Sequence, residues 1–358
     1  MTPISICVIA KNEEKHMENF LSAIKKHMGT YPYEVIIVDT GSTDNTVEIA
    51  KKYTDKIFYF EWINDFSAAR NYSISKANTD WILVLDCDEY ITELNPQAFD
   101  WMAKKYPQAT GIITLHNRYE LNGFNSSYTE NLTRFFNRKI YHYESIIHEQ
   151  LCPINKSTSY ERVDLSLSID HYGYSGNTEE LAAKAERNNK LLFQALEKNP
   201  TDPYIYFQLG QSFNMIRDDE QSCYYYSKGL DYATNSQLAY VQMMVVSYGY
   251  ALLRLHRDEE ALLLENLYED FCNSADYVCM LGLIYLRNGK VIKAMQEFLK
   301  ATTLEDAHVE GVNTFIPTYN MGCINEVLGD IDTAIKLYHK CGNFPLALER
   351  LAKLESES

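Results

Sequence analysis

Hydrophobic and polar positions follow two different patterns along the chain, and the pattern changes near residue 175. In the first half, short apolar runs such as Ile4–Ala10 and Glu34–Asp39 predict strands. Between them, Lys15–His27 carries apolar residues at helical spacing. This alternation is typical of βαβ units, which build a parallel sheet.

The same alternation continues to about His171. Trp81–Asp86 is almost entirely apolar, as expected for a strand that is covered on both faces of a sheet. We therefore predict an α/β domain with a mostly parallel, Rossmann-like sheet. Further strands are expected at Lys56–Phe60 and, as antiparallel additions, at Thr110–Tyr119, Asn131–Asn137 and Val163–Ile169, with helices at Thr46–Tyr53 and Ser67–Ala77.

From Thr178 onward the pattern is helical, and a repeat is visible in it. A glycine after Leu or Met stands twelve residues before a small side chain, and an aromatic side chain follows four residues later. This resembles the tetratricopeptide (TPR) repeat, in which an aromatic ring fills the space beside a small residue of the paired helix. The three copies are Gly210, Ser222 and Tyr226; Gly282, Ala294 and Phe298; and Gly322, Ala334 and Tyr338, with a weaker copy at Gly249 and Ala261.

These patterns predict a domain over residues 1–175, a linker helix over 176–200, and TPR-like repeats over 201–358 that end in a capping helix at Phe344–Leu354. The alternative is an irregular helical bundle in which the pairs recur by chance. Repeats of this kind form surfaces for peptides or proteins.

Composition narrows the class of protein further. The net charge of −16 without a basic cluster argues against nucleic acid as a partner. No apolar run approaches the ~20 residues of a transmembrane helix, and Ile4–Ala10 has no basic leader before it. The eight cysteines include no C-x-x-C pair, which favours reduced thiols. We therefore expect a cytoplasmic protein.

Candidate chemistry lies where three predicted strands end. In an open α/β sheet, ligands bind beyond the carboxyl ends of the strands. Polar residues follow the apolar runs there, at Lys11–Glu14, Asp39–Asp44 and Asp86–Glu89. We expect one crevice to collect all three.

The most distinctive of these ends is Asp86-Cys87-Asp88-Glu89. If the segment is extended, three acidic side chains crowd one strand end, and such crowding is costly without a cation. Mg²⁺ or Mn²⁺, bound by carboxylates and by diphosphate oxygens, would relieve it and stabilise a departing nucleoside diphosphate. A D-x-D sequence alone is common, but its position after an apolar strand makes it specific.

The second end, Asp39 to Thr46, also reads as a well-capped strand-to-helix loop. Asp39 is expected to have no capping role in that loop. We therefore expect it to face the crevice and accept a hydrogen bond from a pyrimidine N–H or a ribose hydroxyl.

Four segments together resemble the GT-A fold glycosyltransferases of family 2: VIAKNEE, EVIIVDTGSTDNT, DFSAARNYSISKA and WILVLDCDEYI. With TPR-like repeats behind them, the chain is similar to the bacterial two-part type that includes peptide S-glycosyltransferases of glycocin pathways. The match is firm over roughly the first 90 residues and loose over His148–Tyr174.

The resemblance implies roles for individual residues. Asp39 would meet the nucleotide base, and Asp88 would be the main metal ligand. Arg70 would lie near the base or the diphosphate, although a surface salt bridge on its helix explains it equally well. Asp86 would contact the ribose and the metal, and Ala10 and Asn12 would line the nucleotide pocket.

The resemblance also suggests a catalytic base. Inverting transfer needs a group that takes the acceptor's proton. Glu149 is the best candidate, with His148 orienting it or the acceptor; the alternative is that Glu149 pairs with Arg134 or Arg138. His171 would complete the metal site or contact the diphosphate, unless it is an ordinary packed histidine.

Other aromatic residues near these segments have simpler roles. Tyr172 and Tyr174, on either side of Gly173, could stack on a sugar or base. Trp62 and Trp81 are expected in the core.

The sequence thus predicts an inverting, metal-dependent transfer of a sugar from a nucleotide sugar, expected to be a UDP-sugar, to a peptide or protein engaged by the repeats. Two alternatives are a transferase for a glycan or lipid-linked acceptor, and a scaffold that binds nucleotide without catalysis. The sequence leaves open the sugar, the accepting atom and a homodimer.

Overall fold

The computed structural model describes residues 1–121, 124–158, 161–172, 178–305 and 307–356. The chain forms two compact units, Met1–Asn177 and Thr178–Ser358.

The first unit is built around a sheet, with a separate two-stranded hairpin. The strands are β1 (Ile4–Ala10), β2 (Tyr33–Asp39), β3 (Ile57–Tyr59), β4 (Trp81–Val84), β5 (Glu89–Glu93), β6 (Thr110–Leu121), β7 (Phe124–Asn137), β8 (Tyr141–Glu144), β9 (Gln150–Pro153) and β10 (Arg162–His171). Over the described residues, the strand order of the sheet is β3-β2-β1-β4-β7-β6-β10-β5, and β8 and β9 form the hairpin. Its helices are α1 (Glu14–Met28), α2 (Thr46–Ala50), α3 (Phe66–Ser75) and α4 (Gln97–Lys105).

Most strands of the sheet run in one direction. β1 pairs in parallel with β2 and β4, β2 pairs in parallel with β3, and β10 pairs in parallel with β6. β7 runs opposite to its neighbours β4 and β6, and β5 runs opposite to β10. The predicted α/β class with a mostly parallel sheet is confirmed. Of the three expected antiparallel additions, only β7 opposes the majority direction.

Alternating side chains of the central strands enter two cores, as the pleat of a strand requires. Ile6 and Val8 of β1 pack in one core with the apolar stripe of α1, which includes Phe20. Cys7 of the same strand packs on the other face with Ile74 of α3. Side chains on both faces of β1 are therefore buried, which explains its unbroken apolar sequence.

Helices make up the second unit. They are α5 (Thr178–Lys198), α6 (Pro203–Met215), α7 (Asp219–Tyr232), α8 (Ala239–Arg254), α9 (Asp258–Ala261), a 3₁₀ helix (Leu262–Leu267), α10 (Tyr268–Phe271), α11 (Ala275–Arg287), α12 (Val291–Ala301), α13 (Phe315–Val327), α14 (Ile331–Lys340) and α15 (Pro345–Ser356). The predicted all-α half is confirmed.

The glycine and aromatic positions of the repeat meet in space. A Cβ on Gly282 of α11 would lie 2.7 Å from Phe298 of α12, and one on Gly322 of α13 would lie 2.6 Å from Tyr338 of α14. Gly210 of α6 faces Tyr226 of α7 in the same way. The aromatic rings thus occupy the space that a glycine leaves open, which confirms the TPR-like pairing of the three copies.

The weaker fourth copy departs from this pattern. Gly249 of α8 faces Met280 and Leu264 in place of an aromatic ring. The residue four positions after Ala261 is Glu265, and this stretch is broken into α9, the 3₁₀ helix and α10. The space beside Gly249 is thus filled by aliphatic and thioether groups, and the second helix of the pair is not one continuous α-helix.

Residues 176–200 were expected to be a linker helix. α5 covers most of this range, and its residue Ala185 is buried. The carbonyl of Ala185 accepts a hydrogen bond from Ser212 Oγ in α6 at 3.5 Å. α5 therefore packs on the first repeat.

Candidate active site

The carboxyl ends of β2, β1 and β4 lie side by side at one edge of the sheet. Ala10, the last residue of β1, is paired in register with Asp39, the last residue of β2. The Ala10 carbonyl accepts hydrogen bonds from Thr40 N at 2.9 Å and from Thr40 Oγ1 at 3.1 Å. Parallel pairing has brought together the strand ends that the sequence singled out.

Asn12 joins the first two of these ends. Its backbone has a φ of 56°, a left-handed conformation that asparagine tolerates better than most residues. Its Oδ1 accepts a hydrogen bond from Thr43 N at 2.8 Å, and its own N–H donates to Ser42 Oγ at 2.9 Å. Asn12 therefore fixes the two loops to each other.

Asp39 has the local role that it was expected to lack. Its side chain accepts hydrogen bonds from Gly41 N at 3.1 Å and from Ser42 N at 3.2 Å. Only 4% of Asp39 is exposed. Gly41, at φ 106°, makes the turn that brings these N–H groups round to the carboxylate. The expectation of no capping role is wrong, because an aspartate at a strand end readily accepts from the turn that follows.

Asp86, Cys87, Asp88 and Glu89 form a turn, so the expectation of an extended segment is also wrong. Glu89 N donates to the Asp86 carbonyl at 3.1 Å, and β5 begins at Glu89. The turn separates Asp88, which lies beside His171, from Asp86 and Glu89, which share Arg134 as a partner. The positive charge of Arg134 lowers the repulsion between the two carboxylates that it contacts.

Asp86 lies between two arginines. Arg70 Nη2 is 2.9 Å from Asp86 Oδ1, and Arg134 Nη2 is 3.3 Å from Asp86 Oδ2. Burial would raise the pKa of Asp86, but the charges of Arg70 and Arg134 outweigh burial and hold that pKa below its usual range. Asp86 is therefore ionised at neutral pH.

Glu89 is 1% exposed and occupies the inside of the same turn. It accepts from Asp86 N at 2.9 Å and pairs with Arg134 Nη2 at 2.8 Å. Burial raises the pKa of Glu89, and the charge of Asp86 adds to this effect against the opposing charge of Arg134. Sequence analysis missed the role of Arg134, which lies on β7 and reaches the turn only because β7 is inserted beside β4.

Arg70 is buried and connects the turn to Glu149. Its Nε donates to Glu149 Oε1, and its Nη2 donates to Asp86. The helix that carries Arg70 begins at Asp65, whose carboxylate caps it by accepting from Ala68 N at 2.9 Å. Both alternatives for these residues are wrong. Arg70 lies in a buried network and not in a surface salt bridge, and Glu149 pairs with Arg70. Arg134 binds Asp86 and Glu89 instead.

One donor of this arginine is left over. Arg70 Nη1 is buried and has no hydrogen-bond partner among the described residues, and the same holds for the Tyr143 hydroxyl. The guanidinium carbon of Arg70 is 5.8 Å from the centre of the Tyr143 ring. An arginine offers five N–H donors in a fixed plane, so Arg70 can take a further acceptor.

His148 precedes Glu149 with a φ of 49°. Its carbonyl accepts a hydrogen bond from Gln150 Nε2 at 2.9 Å. A left-handed conformation at a non-glycine residue is sparsely populated and is often retained where function requires it. The bend places Glu149 at Arg70 immediately before β9.

Asp88 lies on the other side of the turn, next to His171. Asp88 Oδ2 is 3.3 Å from His171 Nε2. The other ring nitrogen, Nδ1, is 2.6 Å from Asn117 Oδ1. Asp88 and His171 are thus brought together as predicted, whereas the carboxylate of Asp86 is engaged by the two arginines. No group of three metal-ligand side chains is found in the described part of the chain.

The donor set at Asp88 nonetheless suits a cation. An amide oxygen only accepts, so the proton of His171 that faces Asn117 is on Nδ1. Nε2 therefore faces a carboxylate, and a lone pair opposite a carboxylate needs a cation or a second proton between them. A histidine whose outer nitrogen donates to a protein oxygen is the usual form of a metal ligand. The residues fit Mg²⁺ or Mn²⁺, with diphosphate oxygens supplying further ligands.

Aromatic rings border this pair. Tyr90 lies two residues after Asp88, and its hydroxyl forms a hydrogen bond of 2.7 Å with His16 Nδ1. The centre of the Tyr90 ring is 5.1 Å from that of Tyr172. Burial lowers the pKa of His16, although the charge of Asp88 opposes this. Tyr174, the other predicted stacking residue, lies outside the described residues.

The two tryptophans differ from each other. Trp81 is buried and stacks on Phe135 at 5.0 Å, as expected. Trp62 is only half-buried and contacts Phe66 and Asn64, so its assignment to the core is wrong. It follows the short edge strand β3, where less of the protein is available to cover it.

The first unit is thus an α/β domain with an acidic turn at the carboxyl end of one of its strands. Residues 5–156 match the family described as Glycosyl transferase family 2. This part of the chain is therefore a family 2 glycosyltransferase domain. Over residues 5–156, the predicted resemblance to family 2 and the prediction of a glycosyltransferase are confirmed.

Similar proteins agree with this assignment. Over 322 residues, the chain is 26% identical to the SPbeta prophage-derived glycosyltransferase SunS of Bacillus subtilis, covering 87% of this chain and 74% of that protein. It is 31% identical over 216 residues to a TPR repeat-containing protein of Synechococcus elongatus, covering 59% of this chain but only 52%, or about half, of that relative.

Among solved structures, MamA from Desulfovibrio magneticus matches 49% of this chain and 97% of its own, at 20% identity and a TM-score of 0.38. The assignment of the second unit to TPR-like repeats therefore depends on the glycine contacts described above. Among helices of the described residues, none has the length and apolar content of a membrane span. The eight cysteines form no disulfide.

Proposed function

We propose that this protein transfers a sugar from a nucleotide sugar to a peptide or protein, with inversion at the anomeric carbon and with bound Mn²⁺ or Mg²⁺. The donor that we expect is a UDP-sugar. One observation carries the proposal: the Asp88–His171 pair and the arginine-bound Asp86 lie on either side of one turn at the carboxyl end of β4. We further propose that the protein acts in the cytoplasm.

Asp88 and His171 are the proposed protein ligands of the metal. When bound, the metal neutralises negative charge on the diphosphate that leaves. The side chain of Asp86 is still 27% exposed between its arginines, and we propose that it contacts the ribose and the metal. The two arginines keep its carboxylate ionised for that task.

The proposed nucleotide pocket is lined by residues at the first two strand ends and on α3. Ala10 offers a short side chain, and Asn12 holds the two loops in place. Asp39 meets the base with the part of its carboxylate that the turn does not use, since a carboxylate has about four acceptor positions. Arg70 offers Nη1 to the base or the diphosphate.

Glu149 is the proposed base that takes the acceptor's proton, with His148 beside it. The side chain of Glu149 is 10% exposed and is paired with Arg70, which orients the carboxylate. The same arginine thus touches the proposed base and Asp86. This connection supports a single site in which proton removal and departure of the diphosphate occur close together.

The acceptor is proposed to be a peptide or protein held by the helical repeats. A glycan or lipid-linked acceptor is the alternative within the same chemistry. Truncation after residue 175 tests this part: we expect the remaining domain to bind the donor but to modify the acceptor poorly. Normal modification by the truncated protein would remove the repeats from acceptor binding.

The central experiment is thermal unfolding with UDP, with and without Mn²⁺. A ligand at 100 times its Kd stabilises the native state by about 2.7 kcal/mol. We expect stabilisation that depends on Mn²⁺ and is lost in Asp88→Asn. Asp80→Asn is the matched control, since Asp80 precedes the same strand, at its opposite end, and pairs with Lys139. An equal response with and without Mn²⁺ would favour a nucleotide-binding scaffold.

A second experiment identifies the donor before any acceptor is known. The protein is incubated with Mn²⁺ and a panel of nucleotide sugars, and the release of nucleoside diphosphate by slow hydrolysis is measured. We expect release from a UDP-sugar and none from the same donor with Asp88→Asn. Release from a different nucleotide sugar alone would correct the assignment of UDP.

A further inference from the structure

We propose that Asn117 and Glu130 are positioning residues that set the ring orientation and tautomer of His171, and thereby the metal affinity of the site. The inference rests on the proposed function in one respect, that His171 is a metal ligand. Neither Asn117 nor Glu130 lies in a segment that carried the sequence resemblance.

The three side chains form a chain of hydrogen bonds across three strands. Asn117 of β6 is 1% exposed and stands beside His171 of β10 in register. Its Oδ1 is 2.6 Å from His171 Nδ1. Its Nδ2 donates to Glu130 Oε2 of β7 at 3.0 Å.

Glu130 decides which way the amide of Asn117 points. A carboxylate accepts and does not donate, so it selects the NH₂ side of the amide. The carbonyl side must then face His171 and accept from its Nδ1–H. This leaves Nε2 as the nitrogen directed at Asp88, 3.3 Å away.

An isolated histidine has no such constraint, and its ring can rotate or exchange tautomers. Residues that hold the outer nitrogen of a metal-bound histidine raise metal affinity, and their loss typically costs 10–100-fold. The buried amide between two strands is therefore more than a filler of the core. It prepares Nε2 for a cation before the cation arrives.

The first test measures Mn²⁺ affinity in the presence of UDP. We expect Asn117→Ala to weaken Mn²⁺ binding about 10–100-fold. The loss of Mn²⁺ affinity in His171→Ala should be as large or larger. Glu130→Ala, at a partly exposed position, should weaken it less, and Glu130→Gln, which keeps an acceptor oxygen, should restore it. His116→Ala is the control, since His116 precedes Asn117 and contacts Thr129 instead.

The second test needs no metal. Nitrogen NMR of protein labelled at histidine, at about pH 9 where an unperturbed histidine is neutral, reports which ring nitrogen carries the proton. The His171 signal is identified by its loss in His171→Ala. We expect the proton on Nδ1 in the unaltered protein and on Nε2 in Asn117→Ala and Glu130→Ala.

The outcomes separate this inference from the proposed function. If His171→Ala loses Mn²⁺ but Asn117→Ala and Glu130→Ala do not, the metal site stands and the positioning role is overturned. If the unaltered protein binds no Mn²⁺, the proposed metal site fails, and the effect on metal affinity fails with it. The tautomer then tests the positioning of His171 by itself, and a proton on Nε2 of His171 in the unaltered protein overturns that role as well.

Discussion

The two units of this protein differ in the number of charged side chains that they bury. The α/β unit buries three charged residues at the strand ends or beside them: Asp39, Arg70 and Glu89. Among the described residues of the helical unit, Asp276 is the buried charged residue, and it accepts from His308 N and Val309 N at 2.7 and 3.0 Å to hold the loop before α13. The packing of three of its helix pairs depends instead on glycines that face aromatic rings.

The difference indicates that the α/β unit contains buried charges that folding alone does not require. Burying a charge costs free energy unless partners compensate, and hydrophobic replacements of similar shape are often as stable. The arginine and carboxylate network is thus hard to explain as a device of folding alone. The glycine–aromatic contacts, by contrast, need no ligand to explain them. Four substitutions test this contrast, from the largest expected effect to the smallest.

Glu149→Gln should have the largest effect, and only on catalysis. Loss of a general base typically costs 10²–10⁴-fold in rate, while glutamine keeps an acceptor for Arg70, so UDP binding should persist. Sugar transfer and UDP binding are measured side by side. Glu144→Gln, in the same hairpin and paired with His142 at 3.0 Å, is the control. Full activity of Glu149→Gln would mean that another group removes the proton.

Arg70→Ala should affect stability most. Breaking a buried ion pair costs about 3–5 kcal/mol, because the partner charges remain without compensation. The exposed pair of Arg118 and Asp170, at 3.0 Å, provides the comparison. Arg118→Ala should cost about 0–1 kcal/mol. Urea unfolding measures both, and equal costs would contradict a special role of the buried network.

Gly282→Ala should destabilise the helical unit by about 1–3 kcal/mol, because the new methyl group overlaps the Phe298 ring. In an open helix the same change stabilises by about 1 kcal/mol, so the sign is diagnostic. Adding Phe298→Leu should recover part of the loss, as coupled neighbours do. Strictly additive effects in that double-mutant cycle would show that ring and glycine are not matched.

Tyr143→Phe should have the smallest effect. Its hydroxyl is buried without a partner among the described residues, and burial raises the pKa of Tyr143 to about 12. Removing an unpaired group should leave stability unchanged or slightly higher. Tyr141→Phe, which loses a bond of 2.6 Å to the Gln108 carbonyl, should cost about 0.5–1.5 kcal/mol. A larger loss at Tyr143 would reveal a bound water.

Much of this architecture was predictable because it is local. Strand β1 was predicted at its observed bounds, since an unbroken apolar run needs both faces covered. The three glycine–aromatic pairs were predictable because a fixed spacing on paired helices produces a fixed contact. The turn at Asp86 was not, because a strand end and a reversal look alike until the next strand's partner is known.

The candidate site divides in the same way. Sequence alone determined which residues stand at the ends of strands, because hydrophobic periodicity is a property of neighbouring residues. Only the tertiary structure decided their partners, since Arg134 and Asn117 reach the site through the order of strands in the sheet. That order is set by long-range packing, and one strand inserted elsewhere would give the same carboxylates different countercharges.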